Sequence, residues 1–242
     1  MDALIDRAGL MQVADDEMAS VDKEIEAQHY FKKVIDGLRG NSDGTVLGDL
    51  VNTPLSDGRT MSDGELLSNL MAGIFLAGTE TTTNSISAGV RFLCEQPGLF
   101  ARLKADPGQY LRTFIEEVLR LESPAQGLYR VVTAETEIHG TRLAPGSILH
   151  LRIGAANRDD RQFGCPAQLD IECRNAGAHL AFGSGIHHCV GAPLARRELY
   201  WAFTTLLDHF EGVRLAPEQQ EIDYLPNYMF RSIRKLDVEF LR

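Results

Sequence analysis

Phe182-Gly183-Ser184-Gly185-Ile186-His187-His188-Cys189-Val190-Gly191 is the stretch that decides the reading of this chain. Three glycines, two adjacent histidines and one thiol share ten residues. The next segment, APLARRELYWAFTTLL, carries a helical pattern, which predicts a helix from about Val190 to Phe210. Pro193 suits the first turn of that helix, where a missing N–H costs nothing. A cysteine at this place meets the positive end of the helix dipole and its unpaired N–H groups, which favour thiolate over thiol. The glycines let the backbone pass close to a flat object.

Three readings of Cys189 stand side by side: a small buried residue in a turn, a nucleophile, or a metal ligand. Free cysteine is often simply buried. A nucleophile needs a positioned base, and neighbours in an extended loop, such as His187 and His188, point opposite ways. A structural zinc site needs a second ligand cluster at finger-like spacing, and none is visible. A haem iron asks for one axial thiolate, a glycine-lined approach and a cation for its propionates. The loop offers all three, with Cys189 on iron and His187 near a propionate.

The string Phe182, Gly183, Gly185, His187, Cys189, Gly191, continued by Ala192, Leu194, Ala195, Arg196 and Glu198, resembles the haem-binding signature of the cytochrome P450 family, the haem-thiolate monooxygenases. The resemblance implies a haem b cofactor with Cys189 as the metal ligand. It places Phe182, Gly183, Gly185, His187, Gly191 and Ala195 at the cofactor.

Working outward, Met61-Ser62-Asp63-Gly64-Glu65 opens a long helix with a capping box, Ser62 to Glu65. The helical pattern runs to about Cys94. Its middle, Ala77-Gly78-Thr79-Glu80-Thr81-Thr82-Thr83, is poor helix-forming sequence, and a mid-helix hydroxyl can bond back and bend the axis. On its own this is an ordinary polar face. Beside the thiol loop it resembles the family's acid–alcohol segment. That implies Thr81 as the alcohol that hydrogen-bonds dioxygen, Glu80 as the acid that helps deliver protons, and Ala77 and Gly78 as the residues that leave room next to the haem.

Glu117-Val118-Leu119-Arg120 puts a carboxylate and a guanidinium three residues apart on a predicted helix, Gly108 to Glu122. The generic reading is a surface pair of a few tenths of a kcal/mol. The family resemblance implies instead a structural network with a later arginine, assigned to Arg174; the interval from Asp170 to His179 is one residue longer than the pattern, so Cys173 competes for that slot. Arg130 matches the arginine that faces a haem propionate.

The rest bounds these readings. The chain has 242 residues, 24 Lys plus Arg against 34 Asp plus Glu, and a formal net charge of −10. That disfavours nucleic acid and anionic membranes as partners. Four cysteines, Cys94, Cys165, Cys173 and Cys189, are too few for a disulfide framework. The apolar run Leu66–Gly78 is too short to span a bilayer, and the start does not read as a signal peptide. A cytoplasmic protein is expected.

The order of elements is helices first, with the first forty residues largely helical, then short strands between Leu128 and Ile153. A mostly irregular stretch over 154–181, the thiol loop, the last long helix and a terminal strand follow. The fold class expected is mainly α (α+β), the C-terminal part of the cytochrome P450 fold. Residues 1–242 are expected to form one truncated haem-thiolate domain lacking the family's N-terminal region. Leu67, Met71, Ile74 and Phe75 would then face water in part, a surface for self-association or for a missing N-terminal fragment. The resemblance further implies a small organic substrate, O2 and an electron donor such as a ferredoxin or flavodoxin. The other reading, of a different class, is a haem-binding or protein-binding remnant without turnover.

Overall fold

The computed structural model describes residues 17–219 and 221–242. The part of the predicted N-terminal helix that precedes Glu17 lies outside them. The contacts divide the chain into two compact units, Met1–Glu80 and Thr81–Arg242.

In the first unit, α1 (Glu17–Leu38), α2 (Val46–Asn52) and α3 (Asp63–Ser68) surround a small core of Ile35, Val51, Leu66 and Leu70. Thr45 caps α2 through Gly48 N at 3.0 Å. Ser62 and Glu65 form the expected capping box at the start of α3. In α1, Ile35 is buried, whereas Val21 and Ile25 are exposed. The long helix continues as expected, but residues Asn69–Leu76 are π-helical. The expected distortion at Ala77–Thr83 therefore begins one segment earlier. At its start, Asn69 Nδ2 donates to the Glu65 carbonyl at 2.8 Å, and the Asn69 backbone N–H is shared between the carbonyls of Glu65 and Leu66. Such stretches are rare overall but frequent at functional sites. Ile74 and Phe75 are exposed and Leu67 and Met71 half-buried.

α4 (Ala77–Glu95) starts in the first unit and runs on into the second. There it joins α5 (Leu99–Ala105), α6 (Pro107–Glu122) and α8 (Ala192–His209); between α6 and α8 comes a single turn, α7 (Ile153–Ala156). Leu111, Phe114, Val118, Leu199 and Phe203 form the buried centre. Phe114 and Phe203 meet edge to face at 5.1 Å. Gly89 admits Phe203 against the backbone of α4: a Cβ there would lie 2.2 Å from Cζ of the ring.

The strands form separate antiparallel ribbons: β1 (Leu128–Val131) with β4 (Ile148–Leu151), β2 (Thr136–Ile138) with β3 (Thr141–Leu143), and β5 (Gly212–Leu215) with β6 (Val238–Leu241). The β1–β4 register sets Arg130 opposite Leu149. The fold is mainly helical with small sheets, as the order of elements implied. Among the described residues no helix is long and apolar enough to cross a membrane.

Candidate functional site

The thiol loop leaves a short 3-10 turn at Ala176–Ala178, passes a second at Gly185–His187, and enters α8. Gly183 and Gly185 hold φ of 68° and 72°, a region that disfavours any residue with a Cβ. Two backbone bonds close the loop: Cys189 N to Phe182 O at 2.9 Å and His188 N to Gly185 O at 3.0 Å. Gly191 precedes α8, and Pro193 lies in its first turn. Cys189 is free and exposed. So are its apolar neighbours Ile186 at 96 %, Val190 at 97 % and Leu194 at 64 %. Aliphatic side chains left this open beside a thiol mark a surface shaped for something apolar.

The donor set narrows what that is. Among the described residues no group of three or more His, Cys, Asp or Glu could hold a metal. A metal on Cys189 must bring its other ligands with it. A metallated macrocycle with apolar edges does so, and the residues present fit a haem.

The loop is tied down from both sides by one carboxylate. Glu116 of α6 accepts from Arg196 Nε and Nη2 at 2.7 and 2.9 Å, and from His179 Nε2 at 3.0 Å. The backbone N–H of Ala181 donates to His179 Nδ1 at 3.1 Å. That nitrogen therefore carries no proton, and Nε2 is the donor toward Glu116. The Arg196 guanidinium lies 4.5 Å from the centre of the Phe182 ring. Burial pushes the Glu116 carboxyl up, but the hydrogen bonds from His179 and Arg196 outweigh it and hold the group at about 2. Neither Glu116 nor His179 was singled out from sequence. Their partners stand 63 and 80 residues apart along the chain, and no local spacing announces the cluster.

Glu117 and Arg120 are fully buried. Arg120 reaches the carbonyls of Asn157 and Pro166 through Nη1 and those of Cys165 and Gln168 through Nη2, and stacks 4.7 Å from the centre of Phe163. The second partner of Glu117 is the backbone N–H of Asp170 at 3.0 Å. Arg174 is exposed and contributes none of these bonds. Its assignment to the network is corrected: Arg174 is open to solvent, and Cys173, its competitor for the slot, is half-buried. Burial raises the Cys173 thiol. Asn157 links this region to the loop, donating to Ser123 Oγ at 2.7 Å and accepting from Leu180 N at 2.7 Å.

Ala77, Gly78 and Glu80 belong to the first unit, and Thr81 begins the second. Nothing would meet a Cβ at Gly78 within 4 Å. The Thr81 carbonyl accepts from Ser85 Oγ at 2.9 Å, a back-bond within the helix of the kind a hydroxyl-rich segment offers. Arg130 is exposed on β1, with Nη1 donating to the Tyr129 carbonyl at 2.8 Å. His187 is exposed and Ala195 half-buried.

The family model for Cytochrome P450 matches residues 10–237, so this chain belongs to the cytochrome P450 family, whose cofactor is haem b. Among curated relatives it is 37 % identical over 211 residues to Cytochrome P450 CYP107DY1 of Priestia megaterium, covering 87 % of this chain and 50 % of that protein. It is 36 % identical over 219 residues to the cytochrome P450 monooxygenase PikC of Streptomyces venezuelae, covering 90 % and 52 %. The polyketide synthase cytochrome P450 PksS of Bacillus subtilis 168 superposes with a TM-score of 0.85 at 30 % identity, over 96 % of this chain and 59 % of that one. The chain spans about half the length of the curated relatives it matches.

Proposed function

We propose that the chain carries the thiolate half of a haem monooxygenase, one that places an oxygen atom from O2 into a small organic substrate with electrons from a separate ferredoxin or flavodoxin. Residues 1–242 are then part of a single haem-thiolate domain. The observation that carries the reading is Cys189, a lone exposed sulfur between exposed Ile186 and Val190 in a glycine-turned loop at the start of α8. Membership of the family supports it.

When bound, the haem supplies a redox-active iron able to activate O2. In this proposal Cys189 would hold the iron through its sulfur, and Gly183 and Gly185 would let the backbone come close to the cofactor. Ile186 and Val190 exclude water on that side, which keeps the sulfur in a low-dielectric setting. Arg130 and His187 supply donors for the ring carboxylates. By the family resemblance Ala77 and Gly78 would leave space beside the cofactor, and Glu80 and Thr81 would hold and pass the protons that oxygen chemistry needs. Exposed Ile74, Phe75 and Leu76 are covered, in the working enzyme, by polypeptide of the kind that forms the other half of the relatives.

The test is haem uptake followed by the reduced carbon monoxide spectrum. The wild-type chain is expected to show the red-shifted band of thiolate ligation, and Cys189→Ala to lose it. The same band in the variant would overturn the assignment. The half-length match favours a second reading, haem binding without turnover. Product formation with a reduced donor separates the two.

A further inference from the structure

We propose that Glu116 is the positioning residue of the thiolate loop: one carboxylate on α6 anchors the chain on both sides of Cys189. The inference rests on the haem-thiolate reading for its purpose, and on geometry for its substance.

Upstream, the Glu116 carboxylate accepts from His179 Nε2, and His179 Nδ1 accepts from Ala181 N. The imidazole is thus a rigid spacer between α6 and the peptide entering the loop. Downstream, both carboxylate oxygens accept from Arg196 on α8 in a bidentate pair, the strongest and most directional form of this interaction. The guanidinium also covers the Phe182 ring, and the Phe182 carbonyl receives Cys189 N. Two paths therefore run from one side chain, through His179 and through Arg196, and converge on the peptide that holds the sulfur. The His179 arm is dry and the Arg196 arm partly open to water: the side chains of His179, Glu116 and Arg196 are 1 %, 19 % and 38 % exposed.

The loop needs such an anchor. From Ser184 to Val190 every residue is exposed. Its own backbone bonds are local turns, Gly183 N to Leu180 O and His188 N to Gly185 O among them. Those bonds and the one from Cys189 N to Phe182 O set the loop's own shape; its ties to the rest of the unit are Leu180 N on Asn157 Oδ1 and the Glu116 cluster on either side of the sulfur. Adjacent Glu117 has other partners, Arg120 and Asp170 N. The two neighbouring glutamates thus serve different tasks: Glu117 holds the irregular chain, and Glu116 holds the sulfur. Glu116 touches neither Cys189 nor any reacting atom in this scheme, so its effect is on placement.

Peptide-resolved amide hydrogen exchange on the full chain tests this, comparing wild type with Glu116→Gln, which keeps volume and removes the charge. Residues 180–192 are expected to exchange roughly tenfold faster in the variant, while α5 and the β5–β6 ribbon keep their protection. Arg196→Gln, which cuts one path only, should loosen the entry to α8 and leave Ala181 protected. Unchanged exchange over 180–192 in Glu116→Gln, or an equal rise throughout the second unit, would overturn the proposal. In haem-loaded protein the thiolate band of the carbon monoxide complex should decay faster in Glu116→Gln, and an equal decay also counts against it. A chain that takes up no haem speaks against the functional reading alone, because the exchange experiment needs none.

Discussion

Arg120 lies along Glu117 with two parallel hydrogen bonds, Nε to Oε1 at 2.6 Å and Nη2 to Oε2 at 2.8 Å, and neither side chain is open to water. Sequence spacing alone suggested a surface pair of the ordinary helical kind. Removing one member of a buried pair strands the other charge. Glu117→Ala should therefore cost ~3–5 kcal/mol, against well under ~1 kcal/mol for an exposed pair. Denaturant melts of wild type and variant measure the difference, and a midpoint that barely moves would contradict the burial.

Arg174→Ala should do almost nothing to stability, within about 0.5 kcal/mol, as for other exposed sites away from special contacts. The same melts read it. A loss as large as that of Glu117→Ala would return Arg174 to the buried network.

Glu116 makes stability depend on acid. Its folded carboxyl titrates at about 2, below the ordinary 4.5, so the stabilisation is complete above about 4.5 and is lost as pH falls toward 2. That drop corresponds to ~3 kcal/mol at neutral pH. The titrating part of the gap between wild type and Glu116→Gln should close between pH 4.5 and pH 2 in melts across that range. A gap that stays constant through the window would rule out a depressed Glu116.

Thr81→Ala should leave haem uptake intact and lower product formed per electron consumed several-fold in the competent enzyme, because the proposal assigns that hydroxyl to hold and relay a proton. Simultaneous measurement of donor oxidation and product checks it. An unchanged ratio would remove Thr81 from the proton path.

How legible these features were depends on the distance over which each is determined. The Cys189 loop was readable because its glycines, thiol and following helix lie within one short stretch. The capping box at Ser62 and Glu65 was readable for the same reason. The π-helical stretch was not: over eight residues an apolar run looks alike at either helical period. Arg174 was misplaced because Glu117 and Arg120 find their other partners among backbone groups of residues 157–170, which spacing along the chain does not announce. The Glu116–His179–Arg196 cluster depends on the packing of α6 against α8, and nothing local to Glu116 predicts it.

The guanidinium of Arg120 has a consequence for proteolysis. The chain from Asn157 to Gln168 has no ladder of its own, yet four of its carbonyls end on that one side chain. A stretch so poor in regular structure is ordinarily an early point of cleavage. Here a protease needs those carbonyls released to fit the chain into its cleft. Releasing them means exposing a buried charge and opening α6 with it. Limited digestion should therefore spare this stretch until the second unit unfolds, and the first cuts should fall elsewhere.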